Sequence, residues 1–149
     1  MRIEPFELER IQSIWENRVE INLAESGVHP VSLAELRAMG LDLDALERRP
    51  LGYIQTNGSV ELREAIARMY PGAAAENVLV TNGGSEANFI LTSLLIEPGD
   101  EAVFQVPNYM QFAGLARAFG ATVRTFELKW ENAWAPDLDA FERALNNKT

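Results

Sequence analysis

Val78-Leu-Val-Thr-Asn-Gly-Gly-Ser-Glu-Ala87 is the stretch on which the reading of this 149-residue chain turns. Asn77 to Thr81 is a short, largely β-branched run, the pattern of a buried strand. Asn82-Gly-Gly-Ser85 then opens a segment apolar on most sides (Ala87, Phe89, Ile90, Leu91, Leu94, Leu95), which predicts a helix to about Ile96. A strand that runs through glycines into a helix start is a device for anions. The first helical N–H groups have no internal partner, and the helix dipole favours negative charge there. Glycines let the backbone close on a phosphate without Cβ atoms in the way, and Ser85 adds a hydroxyl donor. The same residues also suit a plain strand-to-helix turn with a serine cap. A dinucleotide fingerprint and a P-loop are both excluded, because neither Gly-x-Gly-x-x-Gly nor Gly-Lys-Ser/Thr occurs.

Downstream, Pro98-Gly-Asp100 reads as a turn. A strand over Glu101–Gln105, a helix over Asn108–Phe119 closed by Gly120, and a strand over Thr122–Leu128 follow. Asp137 then caps a helix reaching Leu145. Upstream, Ser59 caps a helix whose Leu62, Ala65, Ile66 and Met69 recur at i, i+3, i+4 and i+7, before Pro71-Gly72 stops it. Ser32 and Glu35 have the spacing of a capping box, in a short helix ended by Gly40. Another turn or two of helix is expected between Leu41 and Arg48. Ile21-Asn-Leu23 reads as a short extended piece entering the Glu25–Pro30 loop, and residues 1–20 read as an amphipathic helical arm. Strands alternating with helices imply a layered α/β architecture with largely parallel strands.

Composition narrows the partners. With 22 acidic against 13 basic residues the formal net charge is −9, which repels nucleic acid and anionic membrane surfaces. There are no cysteines, so disulfides, thiolate metal sites and a cysteine nucleophile are ruled out, and His29 is the only histidine, which excludes a multi-histidine metal site. No metal is expected. No apolar run approaches the roughly 18 residues of a membrane span. The acidic Met1–Glu7 start lacks the basic, then apolar, pattern of a targeting peptide. A cytoplasmic protein is expected.

The motifs taken together resemble the N-terminal portion of the class I/II aminotransferases of pyridoxal-phosphate (PLP) fold type I. The family's large domain opens with a strand, a glycine-rich turn and a helix, then Pro-Gly-Asp-Glu, a strand and Pro-x-aromatic. Here these are Val78–Thr81, Asn82–Ser85, Pro98–Glu101 and Pro107-Asn-Tyr109. Tyr53 followed by Gly58-Ser-Val-Glu-Leu-Arg63-Glu-Ala-Ile-Ala67 is similar to the family's Tyr-x4-Gly-x3-Leu-Arg-x-Ala-Ile segment. The resemblance implies residues 1–50 as an N-terminal helical arm and small-domain segment. It implies residues 51–149 as the incomplete start of the three-layer α/β/α large domain.

It also implies roles. Gly83, Gly84 and Ser85 would hold the phosphate of pyridoxal 5'-phosphate, with Gly84 and Ser85 the foremost donors. Tyr109 would stack on the pyridine ring, and Pro107 would restrain that turn. Tyr53 would reach the phosphate of the neighbouring subunit, which makes a homodimer part of the site. On the residues alone, Tyr109 also reads as a core tyrosine and Tyr53 as a surface one. The Ala24–His29 loop departs from the family's Gly-x-Gly-x-Pro pattern. The resemblance implies that Ala24 and Gly27 stand where backbone approaches the substrate carboxylate, a subfamily difference that leaves substrate specificity open. His29 reads as a structural loop residue that could touch substrate.

The implied activity is amino transfer between an amino acid and a 2-oxo acid. Alternatives are a PLP lyase or cyclising enzyme of the same fold, or a non-catalytic truncated fragment. Transamination needs a lysine amine that binds the cofactor covalently and moves a proton. Only Lys129 and Lys148 are present, and neither lies in the family's Ser-x-x-Lys context, so the expectation is that this chain alone has no catalytic residue and is inactive. The expected first strand would also lack its sheet neighbours. Open edges and an uncovered apolar helix then predict association or completion by further polypeptide.

Overall fold

The computed structural model of the chain describes residues 2–149, which form two compact units. One comprises residues 2–13 with 81–149, the other residues 14–80; Met1 lies outside the described residues.

The first unit holds the start of α1 (Glu7–Trp15), then α5 (Gly84–Leu95), β1 (Glu101–Val106), α6 (Gln111–Ala118), β2 (Thr122–Glu127) and α7 (Leu138–Ala144). Strands β1 and β2 pair in parallel, in register from Glu101 against Thr122 to Val106 against Glu127. Parallel neighbours need a crossover, and α6 supplies it. The crossover helix carries the core: Ala113, Leu115 and Ala116 are buried, with Ala121 just beyond and Thr92 of α5 facing them. The Thr92 hydroxyl is fully buried and donates to the Asn88 carbonyl at 2.6 Å, which leaves no orphaned donor. Phe126 of β2 meets Phe141 of α7 edge-on at 5.4 Å, and Phe89 of α5 meets Phe119 at 5.9 Å. As the side-chain pattern predicts, Asp137 caps α7 by accepting from the Ala140 N–H at 2.9 Å.

The second unit holds the end of α1, then α2 (Leu33–Ala38), α3 (Leu43–Glu47) and α4 (Val60–Ala67). The Ser32–Glu35 capping box is formed, and Ser59 caps α4 by accepting from Leu62 N–H. Asp42, a cap that the sequence reading did not single out, accepts from Ala45 N–H at 2.9 Å. Gly58 has a φ of +100°, and a Cβ there would lie 2.5 Å from Val80 Cγ2, so the turn before α4 requires glycine on two counts. Arg63 is structural, as expected from its place on α4. Its guanidinium donates to the carbonyls of Gly58 (3.1 Å) and Ala75 (2.8 Å) and ties the turn to the segment that follows.

Three expectations are corrected. Val78–Thr81 is not a strand: Val78 is extended (φ −113°, ψ 124°), but the stretch joins no sheet, and the Val80 N–H bonds instead to the Asn57 carbonyl. A strand is a relation between segments, and β1 and β2 pair only with each other among the described residues. Ile21–Leu23 bends rather than extending, with both apolar side chains exposed. The helix expected from Asn108 starts at Gln111, because the Asn108 side chain takes the Tyr109 N–H at 2.7 Å in a local turn.

Leu91, Leu94 and Leu95 of α5 are all exposed.

Candidate functional site

The start of α5 is open. Gly83 is the cap residue, at φ 85° and ψ 168°, a conformation open in practice to glycine alone, and no side chain caps the helix. A Cβ added at Gly83 or Gly84 would meet nothing within 4 Å, so free space lies in front of both. The N–H groups of Gly84 and Ser85, in the first turn of α5, have no partner within the helix. One carboxylate is nearby: Glu86 Oε2 accepts from the Asn82 N–H at 2.5 Å, securing the turn that leads in. The Thr81 hydroxyl donates to the Gly83 carbonyl at 2.9 Å and holds the same turn from the other side.

Tyr109 stands beside this opening. Its hydroxyl donates to Glu9 Oε1 at 2.6 Å, and the Ser85 side chain lies near enough to act on its pKa. The bond to the Glu9 carboxylate raises the phenol pKa above its ordinary value of 10.0. Burial and the Glu9 charge push the same way, and the Ser85 contact opposes them. Tyr109 as a whole remains 39% exposed. Phe6 packs against it edge-on, with centroids 4.7 Å apart and planes at 68°.

A polar string fixes Ser85 relative to α6. Gln111 Nε2 donates to the Ser85 carbonyl at 3.1 Å, and Asn88 Nδ2 donates to Gln111 Oε1 at 2.9 Å. The structure thus brings Gly83, Gly84, Ser85 and Tyr109 together in one unit. Sequence reading missed Glu9, Phe6, Gln111 and Asn88. Only the three-residue spacing of Phe6 and Glu9, which puts them on one helix edge, offered a signal, and it does not name their target.

The other candidates lie in the second unit. Tyr53 is fully exposed. Ala24 and Gly27 lie in an exposed loop whose amides turn onto its own side chains, Ala24 N–H to Asn22 Oδ1 at 2.9 Å and Gly27 N–H to Glu25 Oε1 at 2.5 Å. His29 is exposed in the same loop. Lys129 and Lys148 are exposed, and the bonds they make are backbone ones: the Lys129 carbonyl closes the turn at Asn132, and the Lys148 carbonyl accepts from Glu101 N–H.

An uncapped, glycine-opened helix start beside an accessible tyrosine ring fits a ligand that carries both a phosphate and an aromatic ring. Residues 37–149 match the family model for class I and II aminotransferases, and the chain belongs to that family. The family's cofactor is pyridoxal phosphate, and the fold is the α/β fold of PLP fold type I. Among curated relatives, the capreomycidine synthase of Streptomyces vinaceus is 38% identical over 138 residues, 89% of this chain and 35% of its own. A PLP-dependent aminotransferase from Streptococcus suis superposes with a TM-score of 0.91 at 28% identity, over all of this chain and 41% of that one. A PLP-dependent cyclase, OrfR, superposes at 0.83, also at 28% identity, with 39% of its chain covered. The chain spans well under half the length of the curated relatives it matches.

Proposed function

We propose that this chain is the cofactor-cup portion of a PLP-dependent enzyme that transfers an amino group between an amino acid and a 2-oxo acid. The observation that carries the reading is the glycine-led start of α5 without a side-chain cap, whose Ser85 carbonyl is held by Gln111, two positions beyond Tyr109. The Gly84 and Ser85 N–H groups and the Ser85 hydroxyl donate to the phosphate, with Gly83 supplying the backbone turn. Tyr109 stacks on the pyridine ring, an offset pair worth roughly 0.5–1.5 kcal/mol beyond burial. When bound, the cofactor supplies the electron sink for chemistry at the amino acid Cα.

The lysine that binds the cofactor belongs to polypeptide other than residues 1–149, so this stretch alone is inactive. Residues 1–50 form the arm and small-domain segment, and residues 51–149 begin the large domain. Tyr53, exposed and without a hydrogen bond among the described residues, is offered to the phosphate of a partner subunit in a homodimer. The Ala24–Gly27 loop faces the substrate carboxylate. No helix among the described residues is long and apolar enough to cross a membrane, and the acidic, cysteine-free composition suits the cytoplasm.

A second reading has its own support: a synthase and a cyclase stand among the relatives, and the cup residues do not choose the reaction. The complete enzyme, incubated with amino acids and a panel of 2-oxo acids, separates the two. Acceptor-dependent formation of a new amino acid supports transfer. Acceptor-independent conversion of the amino acid supports a lyase or cyclising reaction and overturns the first reading.

A further inference from the structure

We infer that Phe6 and Glu9 are positioning residues for Tyr109, together clamping its ring and hydroxyl in the orientation in which the ring receives the cofactor. The inference rests on the proposed role of Tyr109 as the stacking residue.

Two unlike contacts reach Tyr109 from the N-terminal end of α1. The Phe6 ring, at 68° to the phenol, fixes its plane, and the Glu9 carboxylate fixes the direction of its O–H. Phe6 immediately precedes α1, and its carbonyl accepts the Arg10 N–H at 3.1 Å, which ties it to the first turn that carries Glu9. The segment that carries them is itself anchored, because the Glu4 carboxylate pairs with the Arg117 guanidinium on α6. Tyr109 needs such support. It lies before α6 begins, and its N–H is held only by the adjacent Asn108 side chain. Nor are the contacts a by-product of tight packing. A cleft of about 560 Å³, lined in part by Phe6, Leu8, Phe89, Met110 and Leu115, separates the segment from α5 and α6 around them.

The test is binding, measured by calorimetry on the complete protein with two probes. Pyridoxine 5'-phosphate carries the ring and the phosphate but no aldehyde; inorganic phosphate reports on the cup alone. Phe6→Leu and Glu9→Ala are expected to weaken pyridoxine 5'-phosphate roughly 2- to 12-fold, the equivalent of ordering one freed side chain on binding. Both should leave inorganic phosphate within about twofold, and Phe6→Tyr and Glu9→Gln, which keep the ring and the acceptor oxygen, should bind the ring-bearing probe as the wild type does. Tyr109→Ala serves as the reference. If it weakens the ring-bearing probe while Phe6→Leu and Glu9→Ala do not, the clamp is wrong and stacking stands. If Tyr109→Ala changes nothing, the stacking role fails and takes the clamp with it. Equal weakening of both probes by Phe6→Leu and Glu9→Ala would mark a general loss of structure and overturn the positioning role.

Discussion

Replacing Gly83 and Gly84 separately by alanine distinguishes a strained turn from a ligand cup. Gly83 sits at φ 85° and ψ 168°, and a Cβ there meets nothing. The whole cost of Gly83→Ala is therefore backbone strain, about 1–3 kcal/mol for a residue held in that region. Gly84 is the first residue of α5, its φ is not positive, and its Cβ direction is also open. Gly84→Ala should therefore be neutral for folding, or stabilising by up to about 1 kcal/mol, since alanine is the better helix former. Its Cβ would nonetheless stand in the space where the phosphate is proposed to dock. Urea midpoints and pyridoxine 5'-phosphate affinities, measured on the same preparations, give opposite rankings if the reasoning holds. Gly83→Ala lowers stability most, whereas Gly84→Ala keeps stability and loses at least tenfold in affinity, about 1.4 kcal/mol. Unchanged affinity in folded Gly84→Ala would refute the cup, and equal stability of the two variants would refute the strain argument.

Glu86→Gln keeps an oxygen to accept the Asn82 N–H but removes a negative charge beside the phosphate. Since unit charges a few ångströms apart in water repel by about 1 kcal/mol, binding should tighten about fivefold at low salt, with the gain fading as salt is added; calorimetry at two ionic strengths checks it. Glu101 is held below its ordinary pKa of 4.5, first by the hydrogen bond from Arg124, then by that from Asn146, with the charges of Arg124 and Lys148 adding to both. A lowered carboxylate stabilises above its unfolded pKa and loses that contribution as pH falls through its folded value. The urea-midpoint gap between the wild type and Glu101→Gln should therefore hold above pH 4.5 and close below it; a gap independent of pH would contradict this. The exposed Leu91, Leu94 and Leu95 face of α5 should make residues 1–149 self-associate when expressed alone, relieved by Leu94→Glu with Leu95→Glu. A monomer with a cooperative melt in sedimentation and calorimetry would contradict that expectation.

What was legible in the sequence was local chemistry. Ser32, Ser59 and Asp137 cap the helices that their side chains announce, because a cap depends only on the residues of one turn. The parallel pair β1–β2 was legible for a related reason, since a strand, a helix and a second strand in sequence leave little other choice. What failed depended on partners far along the chain. Val78–Val80 has the composition of a strand but joins no sheet, its Val80 N–H bonding to Asn57 instead, since composition cannot supply a neighbouring strand. Within the site, the glycine turn and Ser85 could be read because the anion-binding property belongs to a helix start. Glu9 could not, because its hydrogen bond to Tyr109 spans 100 positions. Gln111 escaped for a similar reason: its target is the Ser85 backbone carbonyl, which leaves no mark on side-chain identity.

The central claim is that the start of α5 receives a phosphate whose attached ring lies on Tyr109. Amide chemical shifts, followed by NMR in the complete protein as pyridoxine 5'-phosphate is added, test it most directly. The account predicts saturable shifts of the Gly84 and Ser85 N–H signals together with the ring protons of Tyr109, and loss of the ring-proton response alone when inorganic phosphate is used. Saturable binding that leaves the Gly84 and Ser85 amides unmoved would contradict it.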